Sequence, residues 1–79
     1  MLAHIIIRQE AVKLNPEVEV LLGQSPISNT LYWGKLRETG EKYIITDLAT
    51  AKHILGIAIG KVPHGYTYEI VSFSIPVIV

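Results

Sequence analysis

Asp47-Leu48-Ala49-Thr50-Ala51-Lys52-His53-Ile54-Leu55-Gly56-Ile57-Ala58-Ile59-Gly60-Lys61-Val62-Pro63 is the one stretch of this 79-residue chain with a helical reading. Asp47 suits the N-cap, where a carboxylate accepts from an orphan backbone N–H at the positive end of the helix dipole. The helix is expected from Leu48 to Ile59. Gly60 suits the C′ position, Lys61 the negative end, and Pro63 the stop. Thr50, Ile54, Gly56, Ile57 and Ile59 all lower its intrinsic propensity, so packing must hold it. At 100° per residue, Leu48, Thr50, Ala51, Ile54, Leu55, Ile57, Ala58 and Ile59 cover an arc of roughly 200°, wider than an ordinary surface stripe. Such a helix is either sunk into the concave side of a curled sheet or shared with a subunit interface, through Ile54 and Ile57.

Everything on either side reads as strand. Upstream, Leu31-Tyr32-Trp33-Gly34-Lys35-Leu36-Arg37 and Lys42-Tyr43-Ile44-Ile45-Thr46 look like two arms of a hairpin turning at Glu38-Thr39-Gly40-Glu41. Gly34 within an arm suggests a bulge or a close approach. Before it, Gln24 to Thr30 is a loop rich in Ser, Pro and Asn. Glu17 to Leu22 alternates, with Val18, Val20 and Leu22 on one face and two glutamates on the other. The first strand runs from His4 towards Leu14, its alternation fading through Arg8, Gln9 and Glu10, and Asn15-Pro16 is a turn.

Downstream, Tyr66 to Ile75 is the longest strand candidate. Tyr66, Tyr68 and Ile70 share one parity, but Val71, Phe73 and Ile75 share the other. Either a bulge lies near Ile70-Val71, or the strand is apolar on opposite faces at its two ends. Pro76 cannot join a ladder and marks an edge. The expected order is β-β-β-β-α-β: a single α+β domain over residues 1–79, with a mainly antiparallel sheet of four or five strands and one principal helix.

Composition narrows the function. Ile, Val and Leu make up 27 of the 79 residues, which excludes disorder. A domain of 8.8 kDa buries only about 60–65% of the surface its unfolded chain exposes, so some apolar surface is left for a partner. No cysteine is present to supply a disulfide or a thiolate metal site. Seven basic and seven acidic residues give zero formal net charge, without the basic excess that nucleic-acid binding usually shows. No apolar run approaches the ~20 residues that span a bilayer. A soluble cytoplasmic protein is expected.

The chemistry-bearing residues do not form a motif. His4, His53 and His64 lack metal-ligand spacing, and a His-based or metal site at His53 and His64 is a minor possibility that the bland reading, two solvated residues, outweighs. No serine sits in a nucleophile elbow. Glu17 with Glu19, and Glu38 with Glu41, fit solvated positions. Gly56-x-x-x-Gly60 lies inside a helix and not in a phosphate loop. No catalytic set, metal or cofactor is expected.

What stands out is the hairpin. Tyr32, Trp33, Lys35 and Arg37 interleave aromatic rings with cations, and Trp33, Lys35 and Arg37 share a parity. These residue types mark protein–protein hot spots; they also stack and neutralise single-stranded nucleic acid. Zero net charge favours the first. The expectation is a non-enzymatic protein-binding or adaptor module acting as a homo-oligomer, a dimer or larger. Its candidate interface residues are Trp33, Tyr32, Lys35, Arg37, Ile54, Ile57 and Phe73. A single-strand nucleic-acid module built on the Trp33 hairpin is the alternative. Besides the helix flank, the last strand with its apolar tail Val77-Ile78-Val79 is a second place for another copy.

Overall fold

The computed structural model describes residues 1–28, 30–38, 40, 42–61 and 65–76. Its elements are β1 (Leu2–Glu10), β2 (Glu19–Gln24), β3 (Leu31–Lys35), α1 (Leu48–Lys61) and β4 (Tyr66–Ser74). The strands form one antiparallel sheet in the order β3-β2-β1-β4. The fold is α+β, as expected.

β1 and β4 pair without interruption from Leu2↔Ser74 to Glu10↔Tyr66. No bulge resets β4, so the strand is apolar on opposite faces at its two ends. One face carries His4, Ile6 and Arg8 of β1 beside Ser72, Ile70 and Tyr68; the other carries Ala3, Ile5 and Ile7 beside Phe73, Val71 and Glu69. The first strand stops at Glu10 instead of reaching Leu14. Val12 and Leu14 lie almost fully in solvent, and Asn15 turns the chain with a left-handed φ of 58°.

β1 and β2 touch in register only at Ile7↔Val20 and Arg8↔Glu19. Beyond that they part, and the chain near Ile45 enters the gap. Ile45 and His4 exchange backbone hydrogen bonds of 2.7 and 2.9 Å, and the Tyr43 N–H donates to the Leu21 carbonyl at 3.0 Å. This corrects the expected hairpin. β3 pairs with β2, not with residues 42–46, placing Trp33 opposite Leu21 and Gly34 opposite Val20. The reason is burial: between β1 and β2, Ile45 becomes 4% exposed and joins the core. Glu38 and Gly40 are described, but Thr39 and Glu41 of the expected turn lie outside the described residues.

Of the two readings of Gly34, a bulge or a close approach, the bulge is not in its strand but in β2, between Leu21 and Gly23. Gly34 serves a close approach: a Cβ there would lie 2.8 Å from Leu22 Cδ1. The bulge also ends the alternation of β2, leaving Leu21 fully buried on the helix side and Leu22 partly exposed on the other.

α1 is capped as expected. The Thr50 N–H and hydroxyl donate to Asp47 Oδ2 at 3.1 and 2.7 Å. The helix continues through Gly60 to Lys61, so Gly60 is not the C′ residue; Pro63 lies outside the described residues. Ala51 and Ile54 pack on Ile6, Leu21 and Ile45, with Trp33, Leu55 and Ile70 at the margin. These sheet residues share the parity of Ile6, so α1 covers one face only, lying over β1 and β4. Among the described residues no helix or strand covers the other face. No described helix is long and apolar enough to cross a membrane.

Candidate functional site

The register brings Arg8, Glu19, Trp33, Tyr66 and Tyr68 together at the end of the helix-side face nearest Glu10. The Arg8 guanidinium lies 4.3 Å from the Trp33 ring centre and 4.4 Å from that of Tyr66. Its Nε donates to Glu19 Oε1, its cross-strand neighbour, at 3.1 Å. Tyr68 lies between them, its ring 5.9 Å from Trp33 and 6.4 Å from Tyr66. A planar cation between two ring faces gains from their negative quadrupoles, more so as water is excluded. The Tyr68 hydroxyl is buried without a hydrogen-bond partner.

From sequence alone Arg8 reads as the fading end of a strand. The available signal was parity: Arg8 shares a face with His4 and Ile6, where a charge must find partners to stay. Glu19, read as a solvated carboxylate, is that partner.

The proposed interface residues separate. Trp33 is half-buried and faces Arg8 and the core. Tyr32 is 54% exposed and alternates to the opposite face. Lys35 shares the Trp33 face, but its ammonium lies 3.3 Å from Glu17 and 3.9 Å from Glu38. The hydrogen bond and charge of Glu17, then the charge of Glu38, hold it above the usual lysine range. Arg37 is exposed and borders a shallow depression with Glu17, Lys35 and Glu38. Phe73 is partly exposed on the uncovered face.

On the helix, Ile54 is 3% exposed and belongs to this chain's own core, so it offers nothing to a partner. Ile57 is half-buried. The freely exposed apolar residues of α1 are Leu48 and Ile59.

His4, the first of the three histidines, is buried and shares a 2.7 Å hydrogen bond between Nδ1 and Ser72 Oγ. His53 is exposed and His64 lies outside the described residues. Among the described residues no three His, Asp or Glu side chains converge on a possible metal position. Asp47 is held below the usual carboxylate range, first by the Thr50 hydroxyl and then by the Thr50 N–H.

The uncovered face is apolar where the helix-side face is closed. Ala3, Ile5 and Val20 are buried there, while Leu22, Ile44 and Phe73 stand 37%, 46% and 36% exposed. Gln9, Thr67 and Glu69 make its other end polar, around a depression of about 220 Å³.

No family model matches this chain, and no curated protein or solved structure matches it.

Proposed function

We propose that this protein is a non-catalytic protein-interaction module that works as a homo-oligomer. Its surface carries the proposal. The chain exposes 5621 Å², whereas a compact monomer of its mass exposes about 4,800 Å². The difference is close to the ~800 Å² that one partner contributes to a standard interface. Its radius of gyration, 13.0 Å, likewise exceeds the ~11.6 Å of a compact chain of this length. Its exposed large apolar residues include Leu48 and Ile59 on α1 and Ile44 and Phe73 on the uncovered face, and apolar surface gathered on one face is where association occurs.

The nucleic-acid alternative is weaker. Of its two cations Lys35 is engaged by Glu17 and Glu38 while Arg37 is exposed, and the nearby Arg8 is held by Glu19. Trp33 and Tyr66 lie against Arg8, and Tyr68 packs tilted against both rings, which leaves little ring face for a base.

Sedimentation velocity at micromolar concentration tests the proposal. About twice 8.8 kDa or more is expected, and a folded species at the monomer mass at every concentration refutes it. In the same buffer, salt-sensitive binding of single-stranded oligonucleotide would favour the alternative, because phosphate contacts release counterions.

A further inference from the structure

We infer that β4 and the adjoining flank of α1 form a two-fold interface with a second copy of this chain, making a continuous eight-stranded antiparallel sheet. The inference rests on the homo-oligomer reading and names its surface.

β4 is an edge strand nine residues long. Natural edges are blunted by lysine, proline, bulges or short length. β4 has none of these: its pairing with β1 is uninterrupted and Glu69 is its one charge. The opposite edge, β3, has five residues, ends in Lys35 and lies across from the β2 bulge.

The direction of its backbone groups follows from the neighbouring bonds. Ile75 N–H donates to Met1, and Gly65 carbonyl accepts from Ala11. Odd-numbered residues therefore bond towards β1. In an antiparallel ladder the alternate residues turn the other way, so Tyr66, Tyr68, Ile70, Ser72 and Ser74 present N–H and C=O groups outward.

A second β4 fits this row in one register better than in its neighbours. With Ile70 on the two-fold axis, all nine residues pair. Tyr66 meets Ser74 and Tyr68 meets Ser72 of the second copy, large against small. Thr67 meets Phe73, an aromatic–β-branched pair of the kind that stabilises sheets. A slip that centres Glu69 would oppose two carboxylates, which is unfavourable.

The helices then meet as well. α1 packs on β1 and β4 alike, so about a two-fold axis normal to the sheet the two helices lie on the same face, antiparallel and side by side. Packing of helix on helix needs their axes about 8–10 Å apart, and the strands next to the axis are only about 4.8 Å apart, so the facing flanks of the two helices are brought towards each other. α1 starts near the His4 end of β1 and runs towards Glu10. With Ala51, Ile54 and Ala58 facing the sheet, right-handed winding puts Leu48, Leu55 and Ile59 on the flank above β4. Leu48 and Ile59 are 43% and 59% exposed. Two such stripes, antiparallel about the axis, cover each other.

The test combines sedimentation with amide hydrogen exchange on the intact chain. Wild type should sediment as a dimer, with the amides of Tyr68, Ile70 and Ser72 protected as strongly as those of Glu69 and Val71. Dilution into the monomer range should release the even-numbered set alone. Ser74→Pro removes one outward donor, and Ile59→Lys places a charge on the exposed stripe; both should halve the mass with the circular dichroism of the fold kept. Ile44→Glu, on the uncovered sheet face, should leave the dimer intact. If Ser74→Pro fails to fold, Ile59→Lys and the exchange pattern still decide. An associating wild type with unprotected even-numbered amides overturns this interface and leaves the homo-oligomer reading standing. A monomeric wild type overturns both.

Discussion

The guanidinium carbon of Arg8 lies 4.3 Å from the centre of the Trp33 ring, across β2 from it in the sheet. Trp33 thus serves two purposes: it borders the core built on Leu21 and Ile54, and it shields the one charge on this face that is most nearly buried. Trp33→Ala should lower stability by about 3 kcal/mol, through lost packing more than lost cation–π attraction. In a double-mutant cycle with Arg8→Met, the coupling should be about 0.5–1 kcal/mol. Urea unfolding measures both. A stability equal to wild type, with association lost, would make Trp33 an interface anchor instead.

Ile54 and Ile57 should respond differently, although they sit on one helix and share a side-chain type. Ile54 is enclosed by Ile6, Leu21 and Ile45, so Ile54→Ala should cost about 3 kcal/mol by leaving a cavity. Ile57→Ala, at a half-buried position, should cost about 1 kcal/mol. Equal losses in chemical denaturation would contradict the assignment of Ile54 to the core.

Asp47 links helix stability to pH. Its carboxylate accepts from the Thr50 N–H and hydroxyl and so titrates below its ordinary value of 3.8. A depressed carboxylate contributes stability that is complete above the unfolded value and lost as pH falls through the folded one. Asp47→Ala should therefore lower the melting temperature at pH 7, with Asp47→Ser recovering part of it as an uncharged cap. The gap between wild type and Asp47→Ala should close as pH drops below 3.8. A gap that widens on acidification would mean the carboxylate is not the cap.

Gly34 should tolerate alanine. The atom that a new Cβ would crowd, Leu22 Cδ1 at 2.8 Å, is the end of a flexible, partly exposed side chain. Gly34→Ala should change stability by less than about 1 kcal/mol, since relief of backbone entropy offsets the shift of Leu22. Thermal unfolding of Gly34→Ala, and of Gly34→Ala with Leu22→Ala, checks this. A large loss in the single variant that the double variant does not recover would place the crowding in the backbone.

Local patterns were enough for the elements themselves. Asp47 followed by apolar residues at helical spacing determined α1 and its cap, because a capping carboxylate and a 3.6-residue period act within a few residues of each other. Runs of β-branched residues determined that most of the rest is strand. They did not determine which strand pairs with which, because every strand offers the same backbone donors and acceptors. Only the tertiary structure sent Ile45 to His4 instead of to β3, since burial between β1 and β2 outweighs a short turn. It alone chose between the two readings of β4, by holding all nine residues in register with β1. It also turned Arg8 from an apparent strand end into the centre of an aromatic cluster. Trp33, Tyr66 and Glu19 come from three other strands, and a charge on a partly buried face is stable only where distant partners reach it.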